Sequence, residues 1–287
     1  MTPQISDFRC LDRMRVRWAE VDLQKIVFNA HYLMYFDTAI AAYWRGLAAA
    51  YETALHGLGG DLYVKKASIE FFASARYDDP IDVGLRCARI GNSSLTFAGA
   101  IFRGGQLLVT GELIYVFADP ATQTSRAVPA ALRDLYEAFE RGDEMTTLQV
   151  GGWEAVSESA SALRRAVLVE EQGIAPAVVW DGLDDHAVHA TLTNRLGHRV
   201  AAGRLIREAP GVGRIGRMVV ERLLRGSGLG RQVLHALLDA ARAQGDTQVL
   251  LHAHHDAQGF YRNEGFLPHG QPFEEAGVRH IEMVRHL

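Results

Sequence analysis

The chain has 287 residues, 48% of them hydrophobic and 22% charged, with a formal net charge of −4. That length suits two domains, and the composition excludes a disordered chain. No basic excess points to nucleic acid or an anionic membrane, and no apolar run reaches the roughly 18 residues of a spanning helix. The first ten residues lack the apolar centre of a signal peptide. Cys10 and Cys87 are too few for a disulfide framework or a thiolate metal cluster, so a cytoplasmic location is expected.

In chain order, Arg13 to Trp18 reads as a strand and Ala19 to Ala30 as a loop. Tyr32, Leu33, Tyr35, Phe36, Ala39, Ile40, Tyr43, Trp44 and Leu47 then follow helical spacing with a broad apolar face, so this helix should be largely enclosed. Alternation marks strands at Ser68–Phe71 and Ile81–Cys87. Leu95 to Phe102 and Leu107 to Phe117 flank Gly104-Gly105, a pair suited to the positive φ angles of a tight hairpin. One buried helix and several strands imply an antiparallel sheet wrapped around that helix.

After Pro129 a helix runs to Gly142, where a polar linker begins. The composition changes there too. All three lysines precede this point and ten of the twelve histidines follow it. The expected domains are residues 1–145 and 146–287. In the second, Ser159 to Glu171 reads as helix, and Val200 to Ile206 and Ile215 to Val220 as strands. Arg225-Gly226-Ser227-Gly228-Leu229-Gly230-Arg231 leads into an amphipathic helix through Val233, Leu234, Leu237, Leu238 and Ala241, closed by Gly245. A strand over Gln248 to His252 and a short helix over Ala257 to Asn263 follow.

Glycines before a helix let successive backbone N–H groups close on a phosphate. Gly230-Arg231-Gln232 lacks the Lys-Ser/Thr of a nucleotide P-loop, and Gly226-x-Gly228-x-Gly230 lacks dinucleotide spacing. What remains is an Arg-x-x-Gly-x-Gly acetyltransferase loop on Arg225, Gly228 and Gly230, or a plain glycine turn. His252-Ala253-His254-His255-Asp256 has Ala257 where a His-x-His-x-Asp-His metal run continues with His, so no metal is expected. These histidines read better as strand-end groups near a site, one of which could relay protons.

Two stretches carry family resemblances. Arg17-Trp18-Ala19-Glu20-Val21-Asp22 through Phe28-Asn29-Ala30-His31-Tyr32-Leu33, with Ala75 to Pro80 and Gly91 to Leu95, resembles the hotdog-fold acyl-CoA thioesterases of the 4-hydroxybenzoyl-CoA type over about residues 10–140. The second half resembles the GNAT N-acetyltransferases over about 148–287. It does so through Ala201 to Leu205, Ile215 to Val220, the glycine loop, and Phe260-Tyr261-Arg262-Asn263-Glu264-Gly265-Phe266. Autoinducer synthases share that second fold distantly, which leaves transfer of another acyl group open.

The first resemblance implies a carboxylate, Asp22, as general base or nucleophile on a thioester. The helix N-terminus around Asn29 would polarise the carbonyl. His31 would position water or substrate, or else cap the helix. On residue type alone Asp22 could equally be a cap, and Glu20 reads as a solvated strand residue. Many relatives carry Gly where this chain has Lys25. The second resemblance implies pantetheine contacts from Met218, Val219 and Val220, and pyrophosphate contacts from Arg225, Gly226, Ser227, Gly228, Leu229, Gly230 and Arg231. Tyr261 would be the acid for the departing thiolate. No motif assigns a base; Glu171 and Glu221 are the acidic candidates.

The expected protein is thus α+β, a hotdog unit followed by a GNAT mixed sheet with flanking helices. It would be bifunctional, using acyl-CoA and acetyl-CoA as substrates and an unknown amine as acceptor, with no permanently bound cofactor. A non-catalytic hotdog unit, sensing acyl-CoA or driving oligomerisation, is the alternative. Homo-oligomers, dimer or tetramer, are expected through the first unit, because a single such sheet leaves edges open.

Overall fold

A computed structural model describes residues 2–275 and 277–287, with the side chains of Ser159 and Glu275 excepted. The chain divides into two compact units, Met1–Met145 and Thr146–Leu287.

In the first unit five strands form one antiparallel sheet. They are β1 (Cys10–Arg15), β2 (Asp61–Phe71), β3 (Pro80–Ile90), β4 (Ser94–Arg103) and β5 (Gln106–Ala118), in the order β1-β3-β4-β5-β2. The 18-residue helix α1 (Asn29–Gly46) buries Tyr32, Tyr35, Phe36, Ala39, Tyr43 and Trp44. Its closest approach to the sheet uses a cross-strand glycine pair. Gly99 and Gly111 face each other on β4 and β5, and a Cβ on either would stand about 2.5 Å from the Phe36 ring. Two smaller helices, α2 (Tyr51–Gly57) and α3 (Ala130–Arg141), complete the unit. Tyr136 and Phe139 of α3 pack their rings on Tyr43, and α3 ends at Gly142 with φ +90°. Gly104 and Gly105 both take positive φ in the β4–β5 hairpin.

Two readings of the first half need correction. The first strand ends at Arg15, and Trp18–Glu20 form a 3-10 turn instead of its continuation. Glu20, read as solvated, is 3% exposed. Burial follows from that turn, which aims the side chain at α1.

The second unit is a seven-stranded mixed sheet in the order β11-β12-β10-β9-β8-β7-β6. Its strands are β6 (Thr146–Gly151), β7 (Val188–Asn194), β8 (Arg199–Ala209), β9 (Val212–Val220), β10 (Gln248–His254), β11 (Leu267–Glu275) and β12 (Val278–His286). Only β9 and β10 run parallel, joined through α6 (Leu229–Ala243). On the other side lie α4 (Ser157–Arg164), continued by a π-helical turn over Arg165–Glu171, and α5 (Pro176–Val179). Neighbouring residues of β8 show the two faces. Ala202 packs with Leu163, Val167 and Val179, whereas Gly203 lies under Val233 and Leu237 of α6. A last helix, α7 (Gln258–Asn263), precedes β11. Among the described residues no helix is long and apolar enough to cross a membrane.

Candidate active sites

In the first unit the Asp22 turn is tied to the start of α1 through Glu20. Glu20 Oε2 accepts from the Arg17 N–H at 2.8 Å and from the Tyr35 hydroxyl at 2.6 Å, and Oε1 accepts from Arg17 Nε at 2.5 Å. Its main-chain oxygen accepts from the Phe28 N–H and from His31 Nδ1, each at 2.9 Å. Burial pushes the Glu20 carboxyl up, but the Tyr35 and Arg17 hydrogen bonds outweigh it and hold the group below its ordinary range. Nothing in the sequence separated Glu20 from a surface acid. The signal available was Arg17 three residues earlier and Tyr35 on the inner face of the helix.

Beyond this hub, Val21 bridges to Val27, and the Asp22 N–H donates to the Ile26 carbonyl at 2.9 Å. The half-buried Asp22 side chain accepts from the Gln24 N–H through Oδ1 at 2.8 Å. Lys25 closes the turn at φ +61°, a left-handed conformation that glycine adopts without steric cost. Asn29 is exposed and is the first residue of α1; its side chain makes no hydrogen bond among the described residues. His31 Nδ1 donates to a carbonyl, so a neutral ring keeps its lone pair on Nε2. Asp22, Asn29 and His31 therefore share one turn and helix start, without direct hydrogen bonds between them. The segment after β2 closes on the same turn, with Ile26 bridging Arg76 and the Tyr32 hydroxyl accepting from the Ala75 N–H. Trp18, Leu23, Phe28, Phe71, Phe72 and Tyr77 leave an exposed apolar rim there.

In the second unit the site is an opening in the sheet. Strands β9 and β10 pair only over Val212–Arg214 and Gln248–Leu250. The cause lies in β9, where Arg217 and Met218 together oppose Gly203 and Arg217 takes φ +52°. Such a bulge bends and twists its strand. One edge of β9 is thereby left without a strand partner from Ile215 onward. The gap holds a pocket of about 280 Å³ lined by Met218, Arg217, His252, His254, Tyr261 and His280, among others. Arg217 also donates to the carbonyls of Val178 and Val179 and to Asp181, which fastens α5 beside the opening. Burial raises the Asp181 carboxyl, but hydrogen bonds from Arg204 and the Leu183 N–H, with Arg217 nearby, bring it down to about 2.

At the end of β9 comes the glycine loop. Gly226 and Gly228 have φ of +82° and +88°, and α6 starts at Leu229. The Gln232 N–H donates to the Gly228 carbonyl at 3.2 Å, so the N–H groups of Leu229, Gly230 and Arg231 come before the first helical donor and have no acceptor within the helix. A Cβ at Gly230 would stand 3.3 Å from Val220, which shows how closely α6 enters against β9. Two basic side chains are engaged elsewhere. Arg225 pairs with Glu171 through two bonds of 2.6 and 2.7 Å, and Arg231 reaches Glu264 at 2.6 Å. The Arg225 bonds hold Glu171 below its ordinary range, which makes it a weaker base. Glu221 opens the 3-10 turn after β9 and its N–H bonds to the Val200 carbonyl. Tyr261, on α7, is buried between Phe260 and Phe266, and burial pushes its hydroxyl up to about 12. Among the described residues no three His, Cys, Asp or Glu side chains are grouped to hold a metal ion.

Comparisons with known proteins follow the division of the chain. Residues 24–110 match the thioesterase superfamily model, and residues 178–287 match the acetyltransferase (GNAT) domain model. A UPF0039 protein of Schizosaccharomyces pombe is 35% identical over 123 residues, which is 42% of this chain and 81% of that protein. Escherichia coli ElaA, a solved structure, shares 30% identity over 49% of this chain and 99% of its own, with a TM-score of 0.44. A Thermus thermophilus thioesterase, solved with coenzyme A and Zn, shares 22% identity over 48% of this chain and 98% of its own, with a TM-score of 0.43. The thioesterase match begins two residues after Asp22, and the acetyltransferase match contains the β9 bulge, the glycine loop and Tyr261. The chain thus carries a thioesterase-superfamily match in its first unit and belongs to the GNAT acetyltransferases through its second.

Proposed function

We propose that the protein is a bifunctional CoA-thioester enzyme. Its first unit hydrolyses an acyl-CoA and its second transfers acetyl from acetyl-CoA to an amine. The β9–β10 opening carries the second half of this reading. An unpaired strand edge supplies N–H and C=O groups for the amide-bearing pantetheine arm at Met218, Val219 and Val220, and the glycine loop beyond it supplies N–H groups for the pyrophosphate. Tyr261 keeps its proton at neutral pH and gives it to the departing thiolate. Calorimetry of the full chain with acetyl-CoA tests this half; absence of binding would refute it.

The first half of the reading rests on the Asp22 turn. Its carboxylate takes a proton from water or attacks the thioester carbon, and the first N–H groups of α1 stabilise the developing oxyanion. Hydrolysis of a panel of acyl-CoAs, followed by free-thiol release, tests it. A specific observation favours the non-catalytic alternative: Asp22 Oδ1 is occupied by the Gln24 N–H, and Lys25 holds the same turn at a strained φ of +61°. Binding of acyl-CoA without thiol release would select that alternative. The edge strand β2 and the apolar rim around Trp18 and Leu23 support assembly into homo-oligomers through this unit. A cytoplasmic location belongs to the same reading.

A further inference from the structure

Of the three imidazoles that line the β9–β10 pocket, His254 and His280 hold opposite tautomers, each set by backbone. His280 on β12 has Nδ1 2.9 Å from the Val278 carbonyl oxygen. A carbonyl only accepts, so Nδ1 carries hydrogen and the neutral ring keeps its lone pair on Nε2. His254, at the end of β10, has Nδ1 3.1 Å from the Asp256 N–H. That nitrogen accepts, so the neutral His254 ring carries its hydrogen on Nε2. The ring centroids are 6.0 Å apart at an interplanar angle of 86°. Phe273 of β11 stacks on His280 at 6.1 Å and 24°, which restricts that ring. Both histidines line the pocket together with Tyr261.

We infer that His280 Nε2 is the general base of the second site, for an acceptor that arrives as an alkylammonium ion. The inference rests on the acetyltransferase reading and deepens it, since no acid among the earlier candidates is placed for the task. Glu171 is bound by Arg225, and neither it nor Glu221 is among the residues that line the pocket, whereas His280 and the proposed acid both are. The His254 Nε2–H, with its fixed tautomer, is the hydrogen-bond donor of the same wall.

The protons balance. His280 Nε2 takes one proton from R–NH3+, and the freed amine lone pair forms the C–N bond at the acetyl carbon. The C–S bond breaks as Tyr261 gives its hydroxyl proton to sulfur. The excess proton on the new amide nitrogen restores Tyr261, and His280 releases its proton to solvent. The products are R–NH–acetyl, CoA thiol and one proton.

Several titratable or charged groups surround His280. His254 and His252 stand on β10, Glu282 lies on β12, and His269 of β11 bonds Glu282 at 2.8 Å. Across the pocket are Asp181, held by Arg204 and Arg217, and Arg214 paired with Glu208.

Nitrogen NMR of histidine-labelled full chain, with His280→Asn to assign the signal, reads the tautomer without any acceptor. The Nδ1–H form is expected at His280, and the Nε2–H form would overturn the inference. Transfer is then followed with ethylamine, an ammonium ion at neutral pH, and hydroxylamine, which is largely neutral there. Asparagine keeps a donor for the Val278 carbonyl and removes the base. The expected result is a loss of about 100-fold in kcat/KM for ethylamine in His280→Asn, with hydroxylamine changed by less than about threefold. Equal losses on both probes, or none on ethylamine, would overturn it. Calorimetry with acetyl-CoA separates the two levels: absent binding sinks the acetyltransferase reading itself, and normal binding with the wrong tautomer or rates sinks only the role of His280.

Discussion

The turn after Asp22 and the loop before α6 need the same left-handed backbone and obtain it with different residues. The first uses Lys25 at φ +61°; the second uses Gly226 and Gly228 at +82° and +88°. Glycine enters that region freely, whereas a residue with a Cβ pays about 1 kcal/mol. Lys25 is held there because its surroundings over-determine the turn: Val21 bridges Val27, Asp22 and Ile26 share a hydrogen bond, and Glu20 fastens the entry. The glycine loop leaves the first N–H groups of α6 without helical acceptors, and the phosphate site proposed there would be built from backbone. On the proposed reading the first site keeps a strained residue beside a reacting side chain, whereas the second, built from backbone, uses glycine.

Asp22→Asn is expected to show the largest effect. It should lower acyl-CoA hydrolysis by about 100-fold or more, because a neutral amide neither takes a proton nor attacks carbon. Acetyl-CoA binding by the second unit should stay within error, and an unchanged rate of thiol release would remove Asp22 from the mechanism.

Gly228→Val tests the other side of the comparison. A β-branched residue at φ +88° costs roughly 1–3 kcal/mol, so acetyl-CoA affinity should fall about tenfold or more while hydrolysis persists. A Cβ there meets open space within the protein, so the loss reports on the loop's shape and the ligand, not on packing. Titration calorimetry with equal affinities for variant and wild type would reduce the glycines to an ordinary turn.

Glu20→Ala should destabilise the first unit by about 3 kcal/mol, since it leaves the Tyr35 hydroxyl and the Arg17 N–H without their acceptor. The sign with pH follows from the lowered carboxyl. Its contribution is full above the ordinary value of 4.5 and is lost as pH falls through the lower folded value. Acid melting monitored by circular dichroism should therefore separate wild type from Glu20→Gln at neutral pH and bring them together in strong acid. A constant gap across that range would contradict the assignment.

Lys25→Gly sharpens the comparison with the smallest change. Relief of left-handed strain is offset by the flexibility of glycine in the unfolded chain, leaving about 0.5 kcal/mol of stabilisation. Hydrolysis should stay within about twofold. A rise well beyond that would mean that the lysine side chain obstructs the site.

Much of the secondary structure was legible because it follows local periodicity. The aromatic stripe through Tyr32, Phe36 and Tyr43 marked α1, and Gly142 and Gly245 marked helix ends. Strands β7, β11 and β12 escaped, since buried polar His189 and Asn194, and the histidines and glutamates of the last two strands, mask alternation. Beside β9, the glycines announced a left-handed loop before α6 because no other residue takes their φ without cost. Residue type alone announced neither Glu20 nor Arg217, since a charged side chain reads as surface until its partners in space are known.

Local patterns and ordered motifs were enough to read the fold class and both family resemblances, because they need no knowledge of distant contacts. Tertiary structure alone decided that Glu20 is a buried hub, that β9 bulges at Arg217 and parts from β10, and which nitrogen of His280 carries hydrogen. Each of these depends on groups that folding brings together: a helix face beneath a turn, two strands that cease to pair, a carbonyl two residues away turned toward a ring. The physical reason is that hydrogen-bond direction and burial are properties of pairs in space, whereas periodicity and glycine content are properties of the chain.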